Sequence, residues 1–268
     1  MTQSMSDISI FPIKAFEDNY IWCIHDHERA VVVDPGDAKP VLDYLTQHSL
    51  LLSEILITHH HYDHTGGIQR LCEAVNHLTV IGPHNPKISG LTAKVREGDT
   101  VSVLSDKVSF DVIETPGHTM DHIAFYNDHW LFCGDTLFSV GCGRMFEGTP
   151  EIFLASLDKL AALPSSLAVY CTHEYTLANL QFARHLLPHD SALSDYEQWA
   201  KQMRAQGEIT LPSSIAQQKH LNPYLRCHDK AFQQIIAEQL AIEANEAGTD
   251  IARAISTFAA IRSAKDHF

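Results

Sequence analysis

The apolar residues from Ile8 to about Val33 fall in three short runs, Ile8-Ser9-Ile10-Phe11, Tyr20-Ile21-Trp22-Cys23-Ile24 and Ala30-Val31-Val32-Val33, separated by charged turns. Such runs, rich in β-branched and aromatic residues, predict strands. The third ends in the turn signal Asp34-Pro35-Gly36, and Lys39 to Gln47 then carries Val41, Leu42 and Leu45 at helical spacing. The same alternation repeats: Glu54-Ile55-Leu56-Ile57 reads as a buried strand, and Gly66-Gly67 leads into a helix with Ile68, Leu71, Cys72 and Val75 on one face. Five further strands are predicted at Thr79–Ile81, Thr100–Leu104, Val108–Ile113, Ile123–Tyr126 and Trp130–Cys133, several joined by hairpin-like turns such as Asn127-Asp128. A helix over Pro150–Leu163, capped by Thr149, and a strand at Leu167–Tyr170 follow.

Beyond Tyr175 the pattern changes. Leu177–Leu187, Asp195–Gln206, Lys230–Gln239 and Thr249–Ala264 are helix-like, and no strand run remains. The chain of 268 residues is long enough for two domains, and this shift predicts a boundary between residues 1–174 and 175–268. The pattern shows no repeat beyond the strand-turn-helix alternation and no low-complexity segment.

Charge narrows the partners. With 19 Lys and Arg against 33 Asp and Glu the net charge is -14, and the basic residues are scattered except near Arg262 and Lys265. No basic stripe for nucleic acid is present. No signal peptide and no run of about 18 apolar residues is seen, and the six cysteines lack both a Cys-x-x-Cys pair and the density of a disulfide scaffold. The expectation is a cytoplasmic protein with reduced thiols that binds neither membrane nor nucleic acid.

The chemistry concentrates in Thr58-His59-His60-His61-Tyr62-Asp63-His64, in the loop after a predicted strand. Imidazole and carboxylate ligate divalent ions, and loops at strand ends are where α/β proteins build their sites. A helical reading competes through His60 and His64, four apart, but the preceding strand and the lack of His-Glu-x-x-His argue against it. Further candidates also follow strands: His118 in Pro116-Gly117-His118-Thr119, Asp135 in Cys133-Gly134-Asp135-Thr136, and His173 in Cys171-Thr172-His173-Glu174. From residue types alone, seven positions are candidate ligands, with no assignment to particular ions.

This set resembles the metallo-β-lactamase superfamily. Within it, Gly141-Cys142-Gly143-Arg144, His173-Glu174-Tyr175-Thr176, Asn222-Pro223-Tyr224-Leu225-Arg226 and Arg262-x-x-Lys265 look like the glyoxalase II, or hydroxyacylglutathione hydrolase, family. The resemblance runs from about Asp18-Asn19-Tyr20 to the last residues. It implies an αββα sandwich over residues 1–174, carrying a dinuclear metal site, and a smaller all-α substrate-binding domain over 175–268. His59, His61 and His118 would hold one divalent ion and Asp63, His64 and His173 the other, with Asp135 bridging; zinc is the first expectation, iron and manganese the alternatives. His60 and Tyr62 carry no ligand role, and His60 is expected to pack or face solvent.

The implied reaction is hydrolysis of S-D-lactoylglutathione to glutathione and D-lactate, the second step of methylglyoxal detoxification, through a hydroxide bridging the two ions. Asp63 and Asp135 are the implied catalytic residues, Asp63 as proton acceptor. Arg144, Phe146, Tyr175, Arg262 and Lys265 match the family's substrate positions, the cations answering the carboxylates of glutathione on an otherwise acidic protein. Phe146 stands where some relatives have Tyr, which removes one substrate hydrogen bond. The chain is expected to act as a monomer. The competing readings are a persulfide dioxygenase, which needs only His59, His61, His118 and Asp135, a nuclease, disfavoured by the missing basic groove, and a non-catalytic metal scaffold, disfavoured by the absence of Cys among the ligands.

Overall fold

The computed structural model describes residues 8–242 and 248–268, which gather into two compact units. The first takes residues up to Glu114 together with Asp121–Gly134, and the second takes Thr115–Met120 and everything from Asp135.

In chain order the first unit contains β1 (Ser9–Ala15), β2 (Asn19–His25), β3 (Arg29–Val33), α1 (Ala38–His48), β4 (Leu51–Leu56), α2 (Tyr62–Thr65) and α3 (Ile68–Ala74). It continues with β5 (Thr79–Pro83), β6 (Ala93–Val95), β7 (Thr100–Val103), β8 (Val108–Glu114), β9 (Ile123–Tyr126) and β10 (Trp130–Gly134). Strands β1 to β6 form one sheet in sequence order, antiparallel from β1 to β3 and parallel from β3 to β6. The switch follows from the connections: tight turns join β1 to β2 and β2 to β3, while α1 and α3 serve as crossovers between parallel strands. Val41, Leu45, Ile68 and Leu71 of these helices pack with Ile13, Val32, Ile55 and Val80 in one buried cluster. Asp37 caps α1, its carboxylate accepting from the Lys39 amide. Strands β7 to β10 pair antiparallel, and in β8 Val108, Phe110 and Val112 are buried while Ser109 and Asp111 are exposed, a half-buried alternation.

The second unit holds the hairpin β11 (Leu137–Phe138) and β12 (Gly141–Cys142), then α4 (Pro150–Ala161), β13 (Ala168–Cys171), α5 (Thr176–Leu186) and α6 (Ser191–Ala205). There follow β14 (Ser213–Ser214), α7 (Ile215–Leu221), a 3-10 turn at Pro223–Arg226, α8 (Lys230–Gln239) and α9 (Asp250–Asp266). As the pattern predicts, Thr149 caps α4; a second threonine, Thr249, caps α9. Phe153 of α4 and Tyr224 meet Phe258 of α9 with ring centres 5.8 Å apart in both pairs.

Three expectations are corrected. A strand does occur beyond Tyr175, since β14 pairs with β13 through Ala168 and Ser214. The helix expected from Asp195 begins at Ser191, because the Asp190 carboxylate accepts from the Ala192 and Leu193 amides and caps it earlier. The His-rich stretch is a loop only as far as His61; Tyr62–Thr65 closes one helical turn, with the Gly66 amide bonded to the Tyr62 carbonyl.

Candidate metal centre

In the first unit the ligand stretch leaves β4 and is pinned by a buried carboxylate from the turn after β3. Asp34 accepts from the Thr58 amide through Oδ1 and from Thr58 Oγ1 through Oδ2, both at 2.7 Å. With its hydroxyl hydrogen given to Asp34, Thr58 Oγ1 accepts from His59 Nδ1 at 3.1 Å, which assigns the Nε2 lone pair of His59 to coordination. Asp34 Oδ2 also lies 3.0 Å from His64 Nδ1, so His64 takes the same tautomer. His59 Nε2 stands 3.1 Å from His61 Nδ1, and His64 Nε2 stands 3.5 Å from Asp63 Oδ2. Asn19 donates to Asp63 Oδ2 at 3.1 Å. His59 and His64 are fully buried, and the His122 ring stacks on His59 with centres 4.7 Å apart.

His60 points elsewhere, yet it neither packs in the core nor simply faces water. Its Nδ1 lies 2.8 Å from Asp121 Oδ1, Asn85 donates to the other oxygen of Asp121, and Lys87 Nζ lies 3.2 Å from His60 Nε2. This bonded cluster corrects the simpler expectation.

In the second unit a single carboxylate oxygen gathers two imidazoles. Asp135 Oδ2 is 3.4 Å from His118 Nε2 and 3.3 Å from His173 Nε2. The Arg144 carbonyl, 2.7 Å from His118 Nδ1, can only accept, so that nitrogen carries the hydrogen and Nε2 is again the donor to an ion. Gly143 allows this fold of the chain: a Cβ there would stand 2.0 Å from the Asp135 carbonyl oxygen. The His173 ring lies parallel to Tyr175, 4.7 Å between centres and 4° between planes, and meets Phe138 edge-on. The donor groups gathered among the described residues include no cysteine, and burial pushes the Cys142 and Cys171 thiols up to about 11 and about 12.

The predicted substrate residues all lie in this second unit. Arg144 is largely exposed, its guanidinium 5.4 Å from the centre of the Phe146 ring and its Nε 3.9 Å from Asp266 Oδ1. Phe146 is exposed and edge-on to His118, with ring centres 5.3 Å apart. Arg262 is buried: it donates to the Cys142 carbonyl at 3.3 Å and to Asp266 Oδ1 at 3.0 Å, and it lies against Tyr224. Arg144 and Arg262 thus share Asp266. Lys265 donates to the Ala178 carbonyl at 3.0 Å.

Residues missed in the sequence are Asp34, Asn19, Thr58, Asp121, His122 and Asp266. Asp34 gave a turn signal only; its positive φ of 53° belongs to a non-glycine residue held in a sparsely populated conformation, which a sequence does not display.

Each unit therefore carries a cluster of metal-ligating side chains, and the donor set of imidazole and carboxylate without thiolate suits divalent ions such as zinc, iron or manganese. The family model described as metallo-beta-lactamase superfamily matches residues 16–173, and that described as hydroxyacylglutathione hydrolase C-terminus matches residues 174–268. A hydroxyacylglutathione hydrolase of Nitrosomonas eutropha is 46% identical over 97% of this chain and 99% of its own length. One of Photobacterium profundum is likewise 46% identical, over 97% of this chain and 100% of its own. Among solved structures, ETHE1 from Myxococcus xanthus matches with a TM-score of 0.62 at 25% identity, covering 96% of this chain and 99% of that one. The expected αββα fold class with a helical C-terminal part is borne out by these matches and by the mixed sheets and later helices. Similarity to the curated relatives over nearly the whole chain places this protein in the hydroxyacylglutathione hydrolase family of the metallo-β-lactamase superfamily.

Proposed function

We propose that the chain hydrolyses S-(2-hydroxyacyl)glutathione thioesters, S-D-lactoylglutathione among them, to glutathione and a 2-hydroxy acid, the second step of methylglyoxal detoxification. The observation that carries this reading is the paired gathering of donors: His59 and His61 ring nitrogens meet at 3.1 Å, and Asp135 Oδ2 lies within 3.4 Å of both His118 and His173. His59, His61 and His118 would hold one ion, Asp63, His64 and His173 the other, and Asp135 both; zinc is the proposed metal. Such ions, when bound, lower the pKa of water and oppose negative charge developing on a carbonyl oxygen.

The chain's own residues do the rest. Asp63, steadied by Asn19 and partly exposed, accepts the proton released as water attacks the thioester carbon. Glutathione leaves as a thiolate of pKa about 8.5, so no strong acid is needed opposite it. Arg144, Arg262 and Lys265 provide positive charge for the glutathione carboxylates, Tyr175 a hydroxyl, and Phe146 an apolar face. In this reading residues 175–268 are the substrate-binding part, and the protein works as a cytoplasmic monomer. The six cysteines form no disulfide, and no described helix is long and apolar enough to cross a membrane.

The test is hydrolysis of S-D-lactoylglutathione by the purified protein, with metal content measured on the same sample. Turnover with close to two zinc ions per chain is expected. A metal-replete protein that leaves the thioester intact would overturn the reading, and oxygen uptake with glutathione persulfide would replace it with a dioxygenase.

A further inference from the structure

One ammonium in the second unit is framed by aromatic rings. Lys265 in the last turn of α9 places Nζ 5.1 Å from the centre of the Phe182 ring and 5.4 Å from that of Phe268, while donating to the Ala178 carbonyl. The two rings meet at 65° with centres 5.3 Å apart, and Phe268 also lies 5.3 Å from the His185 ring. Phe182 is buried, and core packing explains it. Phe268 is 59% exposed and has no such explanation, yet the Phe268 amide bonds back to the Lys265 carbonyl at 3.4 Å, which keeps ring and ammonium in one turn.

The setting opposes an ammonium: burial and the nearby charge of Arg262 lower the pKa of Lys265. The Ala178 carbonyl and the electron-rich ring faces act the other way. The carbonyl takes one of three N–H donors, so two remain to meet a ligand. A long, flexible lysine binds a carboxylate well only if its ammonium is already in place.

We propose that Phe182 and Phe268 form an aromatic clip that holds the Lys265 ammonium in position for a carboxylate of the glutathione portion of the substrate. They are positioning residues, and the inference rests on reading Lys265 as a substrate cation.

Phe268→Leu keeps apolar bulk and removes the ring face, while Phe268→Tyr keeps the face. Steady-state hydrolysis and calorimetric binding of S-methylglutathione, both on metal-loaded protein, read the effect. Phe268→Leu is expected to raise KM and Kd about fivefold to tenfold, the scale of one cation–π contact, with kcat within about twofold. Phe268→Tyr should restore both constants. Lys265→Ala should raise them at least as far, and adding Phe268→Leu to it should change nothing more. Wild-type constants in Phe268→Leu, or an undiminished effect in the Lys265→Ala background, would overturn the clip. Wild-type constants in Lys265→Ala would defeat the reading of Lys265 itself, and the clip with it.

Discussion

At the scale of single residues, the seven candidate ligands were legible because their chemistry is rare and each follows a strand. The groups that orient them were not. Asp34 acts on Thr58 across 24 positions, and Asn19 reaches Asp63 across 44, so neither leaves a local pattern. Asp34→Asn tests the orienting role with little change of shape. An amide at this position turns N–H toward His64 Nδ1–H and removes the charge that fixes the tautomer. Metal affinity should fall 10- to 100-fold, a range typical of groups behind metal-bound histidines, as measured by competition with a chromophoric chelator. Unchanged affinity would show that His64 is oriented by other means. Phe146, exposed beside His118 and Arg144, tests the substrate side. Phe146→Tyr adds a hydroxyl that can meet the substrate, so KM for the thioester should fall about fivefold, equivalent to one net hydrogen bond of about 1 kcal/mol. An unchanged or raised KM counts against it.

At the scale of elements, long periodic segments were legible and short ones were not. Helix α8 falls where the apolar spacing puts it, at Lys230–Gln239. Strands β6, β11, β12 and β14 have two or three residues each, too few for alternation to register, and α7 follows a Ser214 cap that pattern alone did not reveal. The single turn α2 is a tertiary product, since four residues do not sustain a helix by propensity. Its backbone rests against the turn after β3. A Cβ on Gly36 would stand 1.9 Å from the Asp63 carbonyl oxygen and 2.8 Å from the Phe16 ring. Gly36→Ala therefore pushes the turn that carries Asp63 and His64. Overpacking of this kind should destabilise the protein by about 3 kcal/mol in urea melts and lower its metal content. Wild-type stability with full metal content would mean that the turn yields without moving its ligands.

At the scale of the whole molecule, the change from strands to helices at Tyr175 marks a shift of composition, whereas compactness follows contacts. The segment carrying His118 belongs to the second unit because Ser156 donates to the Pro116 carbonyl at 2.7 Å, Gly148 to that of Gly117 at 3.1 Å, and Phe146 to that of His118 at 3.2 Å. Bonds between positions about 30 to 40 residues apart carry no periodicity and escape a reading of pattern. The proposed ligation joins residues still more distant in sequence, His61 with His118 and His64 with His173. Ions bound this way favour the folded chain over the unfolded one, by about 2.7 kcal/mol for each ion present at 100 times its Kd. For a chain of this size that gain raises Tm by roughly 5 to 10 °C. Stripping the metal with a strong chelator should therefore abolish thioester hydrolysis and lower Tm by at least that amount, and stoichiometric zinc should restore both. Full activity in metal-free protein would defeat the proposed chemistry. Lost activity at an unchanged Tm would instead defeat the coupling of these ligands to the fold.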